Sequence, residues 1–179
     1  MSSTLIQGIV LLALGSYLIS YQTKSNASLI IIQTIGNILF SIQYFFLGGI
    51  SGCLTVMLAV TRNLLAVVGQ NKDWIKWSGW VPLFSLAGII ITAYTWNGFI
   101  SMLPLATIVV GTEGYLSDNA RKIRAVNLFC CTPCWLMYNI LTGSIGGVIN
   151  ETLGLCSILL SIYRYGWKYM GENRFDRRK

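Results

Sequence analysis

Three ionisable side chains lie inside long apolar stretches of this 179-residue sequence: Arg62, Glu113 and Glu151. In the hydrocarbon core of a membrane each would cost about 2.5–3.5 kcal/mol at mid-depth unless protein or water satisfied it. Arg62 and Glu113 are expected at depths that differ by about one helical turn, so they could pair. Such a pair could fix helix register, bind a solute or take part in gating, unless Arg62 snorkels to the surface. Glu151 is expected nearer one surface, as a rim charge or in a vestibule.

Amide side chains occupy the same apolar stretches. Gln33 and Asn37 are four residues apart and therefore share a helix face, and Asn63 adjoins Arg62. In a transporter these groups would hydrogen-bond a solute, whereas in a plain helix bundle they would form interhelical bonds of about 0.6 kcal/mol each. The predicted solute-binding residues are Arg62, Glu113, Asn150, Asn37, Gln33, Asn127, Asn63 and Trp135.

The elements that must position these residues are membrane helices. Hydrophobic residues make up 54% of the chain and charged residues only 11%, whereas about a quarter of the residues in soluble domains are charged. About 20 apolar residues cross a bilayer as a helix. The sequence therefore predicts an all-α multi-pass membrane protein with seven transmembrane helices, at residues 4–21, 29–47, 52–68, 79–94, 99–116, 123–141 and 147–165.

Basic residues indicate how these helices are oriented. The Lys and Arg residues near the predicted helix ends, such as Lys24, Lys72 and Arg124, follow the first, third or fifth helix, and the remainder follow the seventh. Cytoplasmic loops of membrane proteins collect Lys and Arg. We therefore expect the N-terminus outside and the C-terminus in the cytoplasm, and we assign the net charge of +7 to topology rather than to nucleic-acid binding.

Aromatic residues at the ends of the predicted helices fit the same frame. Tyr and Trp favour the membrane interface, where an apolar ring and a polar tip are both satisfied. Tyr21 and Tyr115 are expected at the cytoplasmic interface and Tyr44 at the outer one.

The sequence contains an internal repeat, which is seen when Tyr44 is aligned with Tyr138. Tyr21 then falls on Tyr115 and Gln33 on Asn127, and both turns after the second helix of a triplet read Tyr-x4-Gly-x2-Gly. Three helices form each repeat, so a single extra helix between the repeats makes their orientations parallel. The predicted units are residues 1–72, a linker helix at 73–97, a second three-helix unit at 98–168 and a basic cytoplasmic tail at 169–179.

One segment of the second unit resembles a known repeat. Trp135-Leu-Met-Tyr138, followed by Asn150 and Gly154, is similar to the Trp-x-x-Tyr-Gly and Asn-x-x-Gly pattern of SWEET and PQ-loop proteins. The resemblance implies the three-plus-one-plus-three architecture and makes Asn150 equivalent to the pocket asparagine. The chain contains no Pro-Gln pair, so we carry over the architecture and not the sugar substrate.

A second resemblance spans most of the chain. Cys134-Trp135, Asn139, the glycine-rich segment 143–147 and Glu151 resemble the YgjV family of bacterial inner-membrane proteins. The length, the basic C-terminal end and the single Arg62 of the third helix are also similar. The resemblance implies a multi-pass protein of the bacterial inner (plasma) membrane and implies no particular substrate.

Catalysis and cofactor binding are not expected. Cys131 and Cys134 form a Cys-x-x-Cys, but the chain has no histidine and no second cysteine pair, so a zinc site lacks ligands. The ordinary hydrolase constellations also need a histidine or a carboxylate cluster. We therefore expect neither enzymatic activity, nor a metal, nor another cofactor.

The combined pattern favours a passive or weakly coupled carrier of a small polar solute, with a site between the two units near mid-depth. The expected partners are the lipid bilayer, the solute and, as an option, a second copy of the chain. One alternative is a non-transporting membrane module with a structural, regulatory or partner-binding role. Another is a nicotinamide-riboside-type carrier, which would need Trp-rich pocket helices, whereas most Trp residues here are expected at interfaces.

Overall fold

The computed structural model describes residues 3–46, 49–70, 72–117, 119–141 and 145–167, and seven helices contain most of them. Within these ranges no β-strand occurs, and a 3₁₀ turn covers Asp73–Lys76. The helices are α1 (Ser3–Gln22), α2 (Asn26–Phe46), α3 (Ile50–Val68), α4 (Trp80–Tyr94), α5 (Met102–Tyr115), α6 and α7 (Ile145–Tyr165). Helix α6 is continuous and comprises Ala120–Val126, a π-helical turn at Asn127–Cys131, and Thr132–Leu141.

Each predicted apolar stretch is a helix, and every end lies within three residues of its expected position. The prediction of an all-α fold is therefore confirmed for the described residues. Four segments are long and apolar enough to cross a membrane: Asn26–Phe46, Ile50–Val68, Gly98–Tyr115 and Gly146–Arg164. The predicted tail at 169–179 and Gly143 of the repeated turn lie outside the described residues.

Helix packing follows chain order within each half of the molecule. Helix α2 packs on both α1 and α3, while α6 packs on both α5 and α7. The halves meet chiefly where α1 packs on α7 and where α3 packs on α5. Helix α4 lies against α3 and α5, so it connects the halves at one side of the bundle.

An apolar cluster shows which helix ends lie together. It joins the start of α2, the end of α3, the end of α5 and the start of α6 through Leu29, Ile30, Ala66, Tyr115, Ala120 and Ile123. Lys24 and Lys72 belong to the connections beside these helix ends, and Arg121 lies in the first turn of α6. We call this side of the bundle the basic end. Helices α2 and α6 thus start where α3 and α5 finish.

Arg124 is buried at the basic end, with only 1% of its surface exposed. Its guanidinium donates to the carbonyl oxygens of Thr23, Tyr21 (3.5 Å) and Ala120 (3.3 Å). A cation at a helix C-terminus complements the unpaired carbonyls and the helix dipole. Arg124 therefore lies within α6, inside the predicted sixth helix, and its side chain caps α1 from the second half of the chain.

Helix α1 is also tied to α7 at this end. The Gln22 amide donates to the Ser157 hydroxyl at 3.0 Å, and that hydroxyl donates to the Leu18 carbonyl at 3.3 Å. Arg164 donates in turn to the Gln22 amide oxygen at 3.1 Å. Side-chain bonds therefore close the seam between the halves at the basic end.

The π-helical turn interrupts the regular hydrogen bonding of α6. The Thr132 amide donates to the Asn127 carbonyl five residues earlier, and Pro133, which follows, has no amide proton to donate. Such turns widen a helix locally and are frequent at functional sites. Here the turn carries Asn127 and Cys131 into the interior of the bundle.

The outside of the bundle is strongly apolar. Leu11, Val68 and Phe129 are 67%, 61% and 75% exposed, respectively. Exposed apolar surface on this scale is unfavourable in water and is suited to lipid. Polar side chains such as Gln33, Asn63 and Arg62 are buried inside instead.

Candidate functional site

A cavity of about 70 Å³, measured as the space open to the centres of water molecules, lies in the middle of the bundle. That volume holds about five waters or one small solute. The lining comprises two residues from α1, three from α2, four from α3, three from α5, four from α6 and one from α7. Helix α4 contributes none of the residues that line it.

Arg62 is the cation of this cavity and is 4% exposed. Its Nε and Nη2 atoms donate to the Asn63 side-chain oxygen at 3.1 and 2.9 Å, and its guanidinium carbon lies 4.1 Å from the Tyr115 ring centroid. No carboxylate among the described residues pairs with it. A buried cation over an aromatic face gains about 2 kcal/mol, which offsets only part of its desolvation. The site therefore carries a positive charge that an anionic group could neutralise.

Gly111 of α5 makes room for this guanidinium. A Cβ atom built on Gly111 would lie 2.7 Å from Arg62 Nη1 and 3.4 Å from Cys131 Sγ. Real Cβ atoms do not approach neighbours so closely, so any larger residue would displace the arginine. The absence of a side chain at Gly111 thus leaves the space that the guanidinium occupies.

The Tyr115 hydroxyl joins two amide side chains from different halves of the chain. It donates to Gln33 Oε1 of α2 and accepts from Asn127 Nδ2 of α6 at 3.1 Å. Gln33 and Tyr115 are 0% and 5% exposed. A buried polar network is costly to break, because a group that loses its partner in a low-dielectric interior pays the full penalty of an unsatisfied polar group. Tyr115 therefore holds the cavity at its basic end.

An aromatic series forms another side of the cavity. Tyr21, Tyr17, Phe40, Tyr44 and Trp135 follow one another with ring centroids 6.5, 5.9, 6.3 and 6.2 Å apart. All five line the cavity. We call these residues the aromatic wall. Pairs at such distances contribute about 0.5–1.5 kcal/mol each beyond the area they bury.

Polar tips on the aromatic wall are held by amides. The Tyr17 hydroxyl donates to the Asn37 side-chain oxygen, and the Tyr44 hydroxyl donates to Asn139 at 3.4 Å. A Cβ atom on Gly36 would lie 2.8 Å from the Tyr17 ring, so this glycine permits the close packing of α1 on α2. The hydroxyl groups of the wall are thus held by amide side chains of α2 and α6.

Glu151 is the carboxylate that lines the cavity, on α7. Its Oε1 atom accepts from the Asn150 amide nitrogen at 3.0 Å. The Asn150 side-chain oxygen has no hydrogen-bond partner within the described part of the chain, and Asn150 is 3% exposed. The pair therefore brings both a carboxylate and an unused amide oxygen into the interior of the bundle.

A comparison with protein families decides where the chain belongs. A family model named Imp-YgjV and described as bacterial inner membrane protein matches residues 4–168. The chain belongs to the Imp-YgjV family. The matched residues include every one that lines the cavity. No curated protein and no solved structure matches the chain.

Four of the eight predicted site residues of this Imp-YgjV protein line its cavity: Arg62, Asn37, Asn127 and Trp135. Three others lie one hydrogen bond behind it, because Gln33 bonds Tyr115, Asn63 bonds Arg62 and Asn150 bonds Glu151. These three support the lining rather than forming it.

Glu113 does not reach the cavity. Its side chain is 63% exposed and forms an ion pair with Lys122 at 2.8 Å, across the turn between α5 and α6. Arg62 and Glu113 therefore do not pair, although their depths along the helices are similar. Arg62 lies on the face of α3 that lines the cavity, whereas Glu113 lies on an exposed face of α5. Depth alone does not determine that face.

The expectation that Tyr21, Tyr44 and Tyr115 anchor the chain at membrane interfaces is wrong. They are 2%, 9% and 5% exposed and line the cavity of the Imp-YgjV bundle. Their rings pack among other helices, which satisfies an amphipathic side chain as well as a headgroup layer does. The internal repeat contained the relevant signal, since it places Tyr21 and Tyr115 at equivalent positions.

Proposed function

We propose that this Imp-YgjV protein is a carrier that moves a small polar solute across the bacterial inner membrane by alternating access. The observation that carries the proposal is the central cavity, which six helices line and which contains the buried charge of Arg62, with no carboxylate partner among the described residues. A buried ionisable side chain inside a membrane helix is costly and marks a candidate functional site. Binding of an anionic or hydroxyl-bearing group would offset that cost.

Two three-helix units would move against each other, residues 1–72 and 98–168, with 73–97 as the linker. The packing supports this division, because α1 on α7 and α3 on α5 are the same contact when the repeats are exchanged. Gln33 and Asn127, equivalent in the repeat, also bond the same hydroxyl of Tyr115. Parallel repeats of this kind are related by an axis along the membrane normal.

Seven crossings are proposed, with the N-terminus outside and the basic tail at 169–179 in the cytoplasm. The long apolar helices and the lysines at one end of the bundle support this orientation. Helices α1, α4 and α6 would then cross as well, with their apolar surfaces toward lipid. The basic end is the cytoplasmic end in this arrangement.

In the proposed site Arg62 holds the solute, and the amides of Asn37 and Asn127 hydrogen-bond it. Trp135 contributes a ring face, while Gln33, Asn63 and Asn150 keep the contacting side chains in place. Glu113 is no longer part of the proposed set, because its partner is Lys122. We propose no chemical step and no cofactor.

Access from the basic end would require the seam there to open. Arg124 and Gln22 hold that seam through bonds between the first and second units. The π-helical turn and Pro133 of α6 would supply a place to bend, since both weaken the regular helix ladder. The solute would then meet each face of the membrane in turn.

Uptake into proteoliposomes tests the proposal. Vesicles with the purified protein are incubated with a labelled mixture of small metabolites, and their contents are identified by mass spectrometry. We expect at least one polar solute to accumulate with the wild-type protein and not with Arg62→Gln, while Glu113→Gln serves as the matched control. If no solute enters, the non-transporting module with a structural, regulatory or partner-binding role replaces the carrier.

A further inference from the structure

Two ionisable side chains, one basic and one acidic, line the same cavity, and each is bonded to a neighbouring amide instead of to the other. Arg62 donates to Asn63, and Glu151 accepts from Asn150. No ion pair joins the two among the residues that the structure describes. The cavity therefore offers a basic and an acidic side chain, and among the described residues neither has an ion-pair partner.

The two charges come from different levels of the bundle. Helices α3 and α7 start at the same end, because Gly52 contacts Tyr44, Tyr44 bonds Asn139, and Asn139 contacts Gly147. Measured from the helix starts, Arg62 is about six residues deeper than Glu151, which corresponds to about 9 Å along the axis. A direct ion pair needs a much shorter separation. A small molecule with charges at both of its ends could bridge them.

Each charged group has neighbours suited to one end of such a molecule. The guanidinium of Arg62 keeps N–H donors that make no bond within the described residues, and a carboxylate can accept two of them side by side. Glu151 shares the cavity with Tyr17, Tyr44 and Trp135 of the aromatic wall. Carboxylates and aromatic faces together bind ammonium groups.

From this arrangement we infer that the cavity binds a small zwitterion, a compound with one carboxylate and one ammonium group. The carboxylate binds Arg62 and the ammonium binds Glu151 beside the aromatic wall. The cavity volume of about 70 Å³ limits the solute to a few heavy atoms. Transport of this zwitterion rests on the proposed carrier function, but binding of it does not.

Calorimetric titration of the purified full-length protein tests the inference with two matched sets of probes. One set is alanine, propionate and ethylamine, and the other is 4-aminobutanoate, butyrate and propylamine. We expect one zwitterion to bind with a Kd at least tenfold lower than those of the monoanion and monocation of its set. Equal binding of a singly charged probe, or no binding of either zwitterion, overturns the inference.

Three variants test which residue binds the carboxylate and which binds the ammonium group of the zwitterion. Glu151→Gln should raise the Kd of the preferred zwitterion at least tenfold and leave that of the monoanion unchanged, whereas Arg62→Gln should abolish binding of both. Glu113→Gln, outside the cavity, should change neither. If Glu151→Gln keeps the full preference for the zwitterion, the inference is wrong.

The carrier proposal and the zwitterion inference can be contradicted independently of each other. Zwitterion binding without uptake of any solute removes the carrier proposal alone. Uptake of another solute, without preferential zwitterion binding, removes only the inference about the solute's charges.

Discussion

The guanidinium of Arg62 lies over the ring of Tyr115, 4.1 Å from its centroid, while the hydroxyl of the same tyrosine joins Gln33 to Asn127. Arg62 belongs to the first half of the chain and Tyr115 to the second. A single side chain thus supports the charge with its face and connects the halves with its hydroxyl. Loss of the ring should affect the charge of Arg62, whereas loss of the hydroxyl should affect the connection between the halves.

Removal of the hydroxyl in Tyr115→Phe should destabilise the protein without removing the ring beneath Arg62. Gln33 and Asn127 would each lose a partner, and buried unsatisfied groups cost about 1–3 kcal/mol. We expect a lower midpoint in thermal unfolding of the detergent-solubilised protein. Tyr94→Phe is the control, because Tyr94 is 88% exposed. Equal midpoints for the two variants would contradict the network.

Gly111→Ala should displace the guanidinium of Arg62, since the added Cβ atom would lie 2.7 Å from Nη1. We expect solute uptake to fall at least tenfold. Gly15→Ala makes the same chemical change where nothing lies within 4 Å of the new Cβ atom, and should leave uptake unchanged. A similar loss in both variants would mean that the contact with Arg62 is not responsible.

Arg62→Lys should reduce solute uptake although it keeps the positive charge. Lysine has a compact ammonium group and lacks the planar fork that binds a carboxylate through two parallel bonds. We expect at least a tenfold loss of uptake in proteoliposomes. Lys122→Gln removes a surface cation whose ion pair with Glu113 is worth about 0–1 kcal/mol, and should be nearly silent. Normal uptake by Arg62→Lys would reduce the role of Arg62 to charge alone.

Arg124→Gln should loosen the basic end. The variant loses the cation that caps the carbonyls of Tyr21 and Thr23, so the end of α1 should exchange its amide protons faster. Hydrogen exchange followed by mass spectrometry over residues 18–26 measures this effect, with Lys122→Gln as the control. Unchanged exchange at the end of α1 would show that Arg124 does not hold the seam.

The helices could be predicted because turn residues mark both ends of each apolar run. Burial of Arg62 was also expected from the sequence, with snorkelling to the surface as the alternative, because an arginine in the middle of an apolar helix is costly in lipid. Glu113 and Tyr115 show what could not be predicted. They are two residues apart on α5, but one pairs with Lys122 at the surface and the other lines the cavity. Only the packing of α5 against α3 and α6 determines which face is buried.

Glu151 shows a further limit of the sequence. Its position near the start of α7 indicated a rim charge or an outer vestibule, whereas the structure places it in the lining of the central cavity. The order of the helices predicts how deep a residue lies in the membrane. Whether its side chain reaches the cavity depends on how the six lining helices pack together.

Access to the cavity from both membrane faces is the central claim, and thiol labelling tests it without knowledge of the solute. The assay uses a chain whose five native cysteines are replaced by alanine, with a single new cysteine at Ala59, which lines the cavity, or at Leu64, which is 53% exposed on the apolar surface. A membrane-impermeant maleimide is applied to right-side-out and to inside-out vesicles. Alternating access predicts that Ala59→Cys reacts in both preparations and Leu64→Cys in neither. Reaction of Ala59→Cys from one face only, or from none, would contradict the carrier.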